Sequence, residues 1–247
     1  MFKVSPPHGW RAVWWELGVV TLGVLIALAA QQLVETLHER RVADETRAAI
    51  RAEFNDNLTS LVLRSRAAPC VAQRLREVRQ IMIDWGETGR FRTPQWVAQA
   101  PQFSLQLPRY EAAVSAGRLA LLSNAEQYRI GAMADFFAEF VRIQTEEGVV
   151  WGRLRALQMG PDVLSANDRT MILQALQDAA TLDYWARISV RQQLPFAKDA
   201  GYEPDFSAHR SIVGRVYAGG RFTPSICTAI DTPPSEANRT QVTPLPL

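Results

Sequence analysis

A mainly α-helical protein, with one N-terminal transmembrane helix continuing into a soluble helical bundle, is the fold class this sequence predicts. Three observations carry it. Residues 17–34, LGVVTLGVLIALAAQQLV, contain no charged side chain. Beyond them, apolar residues recur at three- and four-residue steps, the spacing that lines one face of a helix. Pro69, Pro108, Gly160–Pro161 and Pro195 fall where that periodicity breaks, as helix-ending residues should. The expected division is a short segment at 1–11, a transmembrane helix at 12–34, a soluble α-helical domain at 35–230 and a Pro/Thr-rich disordered tail at 231–247.

The uncharged stretch would extend roughly 27 Å as a helix, close to the ~30 Å hydrocarbon core of a bilayer. Trp10, Trp14 and Trp15 precede it, in the pattern of the aromatic belt at headgroup depth. Gly23 and Ala27 stand four residues apart and make a small-xxx-small face suited to helix contact in lipid. Glu16 lies at the start of the span. It would either meet a polar partner on another membrane helix, because an unpaired carboxylate in lipid is costly, or sit in water among the tryptophans. A cleavable signal peptide, with Ala27-Leu28-Ala29 as its cleavage site, and a buried soluble helix are the competing readings; buried helices rarely carry so long an uncharged run. The helical pattern continuing through Leu33 and Leu37 favours the anchor.

Residues 33–66 read as the same helix leaving the membrane, with Leu33, Leu37, Ile50, Phe54, Leu58 and Leu61 as its apolar stripe and a charged face from Glu35 to Arg51. Pro69 then punctuates the chain. A second helix runs from Cys70 to about Trp85 on Val71, Leu75, Val78 and Met82, and residues 86–92 form a loop. Residues 93–108 are irregular and wrap the bundle. A short helix covers 110–116.

Asn124 is the expected N-cap of a long helix to about Gln158, burying Ile130, Met133, Phe137, Phe140, Val141, Trp151 and Leu154. Asn167 or Asp168 caps the next, which runs through Ile172, Leu176, Leu182, Trp185 and Ile188 to Leu194, where Pro195 closes it. The remainder is an irregular C-terminal segment with a short helix near Ser211.

The chain of 247 residues is long enough to bury a proper core. Its net charge of +2, with Arg interleaved among Asp and Glu, lacks the uncompensated basic stripe that a nucleic-acid surface needs. Two cysteines, Cys70 and Cys227, are too few for a thiolate zinc site. They could form a disulfide, stabilising by about 4–5 kcal/mol in a chain-entropy model, could remain buried thiols, or could leave Cys70 reactive at a helix N-terminus. The histidines (His8, His38, His209) show no metal-site spacing. Asp205, Ser207 and His209 have the residue types of a nucleophile triad but are crowded into five residues, without the separation its geometry demands. Phe136, Phe137, Phe140 and Trp151 fall at helical spacing and read as core. No catalytic, cofactor or metal constellation is expected.

Residues 16–28, ELGVVTLGVLIAL, resemble the first segment of a family of bacterial single-pass membrane proteins, a domain of unknown function. A looser likeness covers YEAAVSAGRLALL at 110–122 and the following Ser123-Asn124; it fades after about Gln158. The chain departs from the pattern at Gln31-Gln32-Leu33 and at Ala116. Arginines flank the span on both sides, and counted alone those after it would put the C-terminal side in the cytoplasm. The resemblance implies the opposite, with a short N-terminus inside and the helical domain in the periplasm. It implies no activity. The partners expected are the lipid bilayer and a second copy or another envelope membrane protein. A sensory module acting through a partner is the alternative.

Overall fold

The computed structural model describes residues 9–206 and 225–232. Among these residues there are five α-helices: α1 (Trp10–Arg66), α2 (Ala68–Thr88), α3 (Pro108–Ser115), α4 (Asn124–Leu154) and α5 (Ala166–Asp199). Short 3₁₀ turns stand at Arg118–Leu121, Arg155–Met159 and Ser225–Cys227, and no strand is present among the described residues. The short helix expected near Ser211, His8 and His209, and residues 233–247 of the expected tail lie outside the described residues.

α1 is one unbroken helix of 57 residues. Its first part, up to Arg41, is exposed among the described residues and extends roughly 50 Å at ~1.5 Å per residue. Leu33 and Leu37, expected on the buried stripe, belong to this free part and are exposed. Burial begins at Ala43 and continues through Ile50, Phe54, Leu58 and Leu61. Pro69 sets the corner between α1 and α2. It sits in the first turn of α2, where a helix has no use for the missing N–H, so α2 opens at Ala68 rather than Cys70. α2 then runs past Gly86 and ends at Gly89, whose φ of 67° gives the left-handed cap that a side chain would strain.

α4 and α5 are antiparallel and form the centre of the bundle. Each begins in a reciprocal capping box, and in neither is the N-cap the expected residue; Asp168, one of the two expected caps of α5, enters its box as the third helical residue. Ser123, not Asn124, caps α4: its Oγ accepts from the Glu126 N–H while the Glu126 carboxylate accepts from the Ser123 N–H. Ser165 and Asp168 do the same for α5. In both cases the residue three positions on closes the box, a pairing that the single-residue reading overlooked.

Pro195 does not close α5, which continues to Asp199. The stop is a Schellman arrangement: the Tyr202 N–H donates to Ala197 O and the Gly201 N–H to Lys198 O, with Gly201 at φ 84°. Tyr202 then packs against Phe54, ring centroids 5.2 Å apart. A tertiary anchor and a glycine outweigh the one hydrogen bond that Pro195 forgoes.

Two further expectations need correcting. Val141 and Trp185 are exposed. The inward face of α4 repeats through Ile130, Phe137, Gln144 and Trp151, and through Met133, Phe140, Glu147 and Leu154. Each set steps by seven, and each includes one polar residue. On α5 the inward residues are Ile172, Ala175, Ala179, Asp183, Ala186 and Val190. Small residues there let the α4 aromatics seat closely, and Trp185 falls on the outer side. Phe136, Phe137, Phe140 and Trp151 are part of this packing.

The buried side chains form two apolar clusters. One, nearer the free part of α1, is built on Phe54, Leu58, Met133, Phe137, Phe140 and Val190. The other joins Val71, Val78, Trp151, Leu154, Ile172 and Ile226.

Candidate functional site

Between the two clusters lies a layer of charge. Arg64, at the end of α1, is 1% exposed; Glu147 of α4 and Asp183 of α5 are equally enclosed. Arg64 Nη2 donates to Glu147 Oε1 at 2.6 Å and to Asp183 Oδ1 at 3.3 Å. Arg187, half exposed, donates from Nε to Asp183 Oδ2 at 3.0 Å. The helices supply one inward turn each, so the layer forms because the seven-residue repeats of α1, α4 and α5 bring these positions to one level. Burial pushes the Glu147 carboxyl above the usual carboxylate range, against the opposing charge and hydrogen bond of Arg64. Arg64 Nε and Nη1 and Glu147 Oε2 are buried without a hydrogen-bond partner among the described residues. Such a layer is a weak source of stability and a strong constraint on register.

α2 carries a second polar device. Cys70 and Arg74 stand four residues apart on one helix face. Cys70 is joined to Cys227 by a disulfide, Cα–Cα 4.8 Å. Arg74 is fully buried. It donates from Nη1 to the carbonyls of Trp96 and Val97 (the latter at 2.7 Å) and from Nη2 to those of Ile226 and Thr228, while Nε pairs with Glu77 at 2.8 Å. Burial lowers its pKa, and the Glu77 hydrogen bond and charge act against that. The Trp96 N–H donates to Ile230 O at 2.8 Å, and Arg92 pairs with Asp231 at 3.0 Å. Residues 225–232 are therefore held to α2 and to the irregular segment 89–107 by covalent, ionic and backbone links together.

The irregular segment has no secondary structure of its own, yet its polar backbone groups find partners. Gln144 accepts from the Phe103 N–H at 2.7 Å and donates to Phe103 O at 3.1 Å. Asn57 donates to Gln106 O at 3.0 Å. Glu53, 8% exposed, accepts from the N–H groups of Arg109 and Tyr110 and so caps α3 from another helix. Burial raises the Glu53 pKa, and those two backbone donors pull it down. Gln144 and Glu53 occupy inward helix positions for this reason.

The residues expected to act in the membrane lie on the free part of α1. Glu16 and Ala27 are exposed, and a side chain added at Gly23 would meet nothing within 4 Å. α1 is the one helix among the described residues long and apolar enough to cross a membrane, and its most apolar stretch is wholly unburied. The structure brings Cys70 and Cys227 together. It brings Glu16, Gly23 and Ala27 to no partner among the described residues. Of the crowded triad only Asp205 is described; Ser207 and His209 lie outside the described residues. Among the described residues no group of three His, Cys, Asp or Glu side chains is placed to hold a metal.

The Arg64–Glu147–Asp183 layer and Arg74 escaped sequence reading. A signal for the first exists: the repeat on α4 passes through Gln144 and Glu147 without changing step. No family model, curated protein or solved structure matches this chain.

Proposed function

We propose that this chain is a single-pass, membrane-anchored interaction protein of the bacterial envelope, presenting its helical bundle to the periplasm. The observation that carries the reading is the continuity of α1: an uncharged stretch exposed on every side runs without a break into a helix whose other end is locked in the core. A soluble protein gains nothing from roughly 50 Å of unburied, largely apolar helix. The Cys70–Cys227 disulfide supports an oxidising compartment, and the likeness of residues 16–28 to bacterial single-pass proteins supports the periplasmic orientation. The reading assigns no catalysis to the chain. Its partners are the bilayer and, through Glu16 or the Gly23–Ala27 face, a second copy or another envelope membrane protein.

Alkaline carbonate extraction of native membranes tests the anchor: retention in the pellet is expected, and release of the intact chain overturns it. Alkylation tests the compartment, since both cysteines should label only after reduction. Mild-detergent purification with crosslinking should recover a stable protein partner.

A second reading is a sensory module that acts through a partner. It is favoured by Arg64, which ties the membrane-derived helix to both α4 and α5 through buried ion pairs, so that a shift of α1 would disturb the layer between the two cores. A bound small molecule recovered with a monomeric chain would favour this reading over the first.

A further inference from the structure

The bundle has one end that looks back along α1 toward its uncharged stretch. Three links fix the direction: Asn57 with Gln106 at 3.0 Å, Glu53 with the Arg109 N–H at 2.7 Å, and Arg47 with Glu126 at 2.7 Å. The chain thus descends beside α1 through α3, from the level of residue 57, and returns into α4 at the level of residue 47. Among the described residues, the turn between them, residues 114–121, lies at the end of the bundle that faces the anchor. Leu119 is its one half-buried residue and packs on the cluster that includes Ala43; the others are exposed. Gly117, at φ 66°, allows the reversal.

The outward residues are an unusual set. Val114 is 48% and Leu121 38% exposed, and between them stands Arg118, which has no ion pair among the described residues. No acidic residue occurs from 112 to 125. Among the described residues this is a small apolar surface around an arginine with no ion pair.

We infer that this turn faces the surface of the bilayer that holds α1, with Arg118 reaching lipid phosphate and the exposed Val114 and Leu121 beside it. The inference rests on the membrane-anchor reading. The level of Ala43 is about 14 Å beyond Val34 along the helix, and the headgroup layer takes up about 5–8 Å of that. The remaining gap of about 6–9 Å is within reach of an extended arginine together with the tilt usual for membrane helices. The anchor fixes the bilayer at this distance at all times, whereas a second copy would have to be brought there. A cation without an ion pair among the described residues, beside apolar side chains, suits an anionic interface.

The test uses the full chain carrying Ala116→Cys, labelled with an environment-sensitive dye under non-reducing conditions and reconstituted in phosphatidylglycerol or phosphatidylcholine vesicles. Carbonate retention is measured on the same samples. Quenching of the dye by a water-soluble quencher should be weaker in phosphatidylglycerol than in detergent. Arg118→Glu with Leu121→Ser should shift the contact equilibrium at least about fivefold toward the quenched state, with unchanged helical melting. Retained protein whose dye is quenched equally in vesicles and detergent overturns the surface contact and leaves the anchor standing. Protection that persists in detergent and rises with protein concentration assigns the turn to a second copy, which also overturns it. Release by carbonate sinks the anchor and the contact together.

Discussion

Arg64 Nη2 sits 2.6 Å from Glu147 Oε1, and that pair, completed by Asp183, divides the interior into two apolar clusters that would otherwise be continuous. Three helices are held in one register by it, because a shift of any one by a turn would leave a charge alone in a dry core.

Removing one member should therefore cost far more than the pair contributes. Arg64→Ala or Glu147→Ala is expected to destabilise by about 3–5 kcal/mol, the cost of an uncompensated buried charge. Arg64→Met combined with Glu147→Leu and Asp183→Leu should recover most of that loss. Thermal melting of the detergent-solubilised chain, followed by circular dichroism, checks both. A triple variant no more stable than Arg64→Ala would show that the layer contributes net stability and not only register.

Two carboxylates should respond to pH with opposite sign. Glu126 is held down to about 2, first by the Arg47 hydrogen bond and then by Ser123. A depressed folded value means stability that is present above the ordinary 4.5 and lost as pH falls from there toward 2. Glu53 is raised by burial, so what it contributes is present below 4.5 and lost as pH rises through its higher folded value. Relative to Glu126→Gln, the parent's melting advantage should shrink below pH 4.5. Relative to Glu53→Gln, the parent should gain as pH is lowered toward 4.5. Parallel curves for the two comparisons would contradict the assigned environments.

The segment 225–232 depends on two devices of different kinds. The disulfide closes a sequence separation of 157 residues, worth about 5 kcal/mol in a chain-entropy model. Arg74 satisfies carbonyls on both sides of the Trp96–Ile230 contact. With the disulfide intact, Arg74→Ala should leave buried carbonyls unpaired at about 1–3 kcal/mol each and raise exchange of the Trp96 amide hydrogen on the order of tenfold or more. With Arg74 intact, Cys227→Ser should lower the melting temperature, and protease should cut near 225–232 only in the variant. Unchanged Trp96 exchange in Arg74→Ala would show that the disulfide alone holds the segment.

How much of this was legible depends on what each position does. Ile50, Phe54, Leu58 and Leu61, like Val71, Val78 and Met82, bury what their spacing announces, because apolar burial is the very signal that periodicity detects. The same filter hides Gln144, Glu147 and Asp183, which occupy inward positions in step with their neighbours but count as polar. Trp185 shows the converse error, since a large apolar residue one step off the α5 seam lies outside it. Arg74 and the partners of residues 89–107 were out of reach for another reason. Their contacts join positions up to 154 apart in the chain, from Arg74 to Thr228, and no local pattern encodes such a pairing. Cys70 and Cys227 were the exception, because a chain with two cysteines offers one pairing.

The capping boxes give the sharpest local test. Ser123→Ala should cost about 1 kcal/mol, and Ser165→Ala a similar amount, because each loses the acceptor for a first-turn N–H and the hydroxyl that donates to the reciprocating carboxylate. Asn124→Ala and Asn167→Ala replace residues already inside the helices, where alanine is the better helix former, and should be neutral or slightly stabilising. α4 and α5 run antiparallel, so the two boxes lie at opposite ends of the bundle and share no partner. Their costs in the double serine variant should then add within about 0.5 kcal/mol. Melting curves of the four single variants and the double decide the matter: a loss at Asn124 equal to that at Ser123 would move the cap back to the residue that propensity alone selects, and strong non-additivity would mean the helices begin as one cooperative unit rather than from two independent starts.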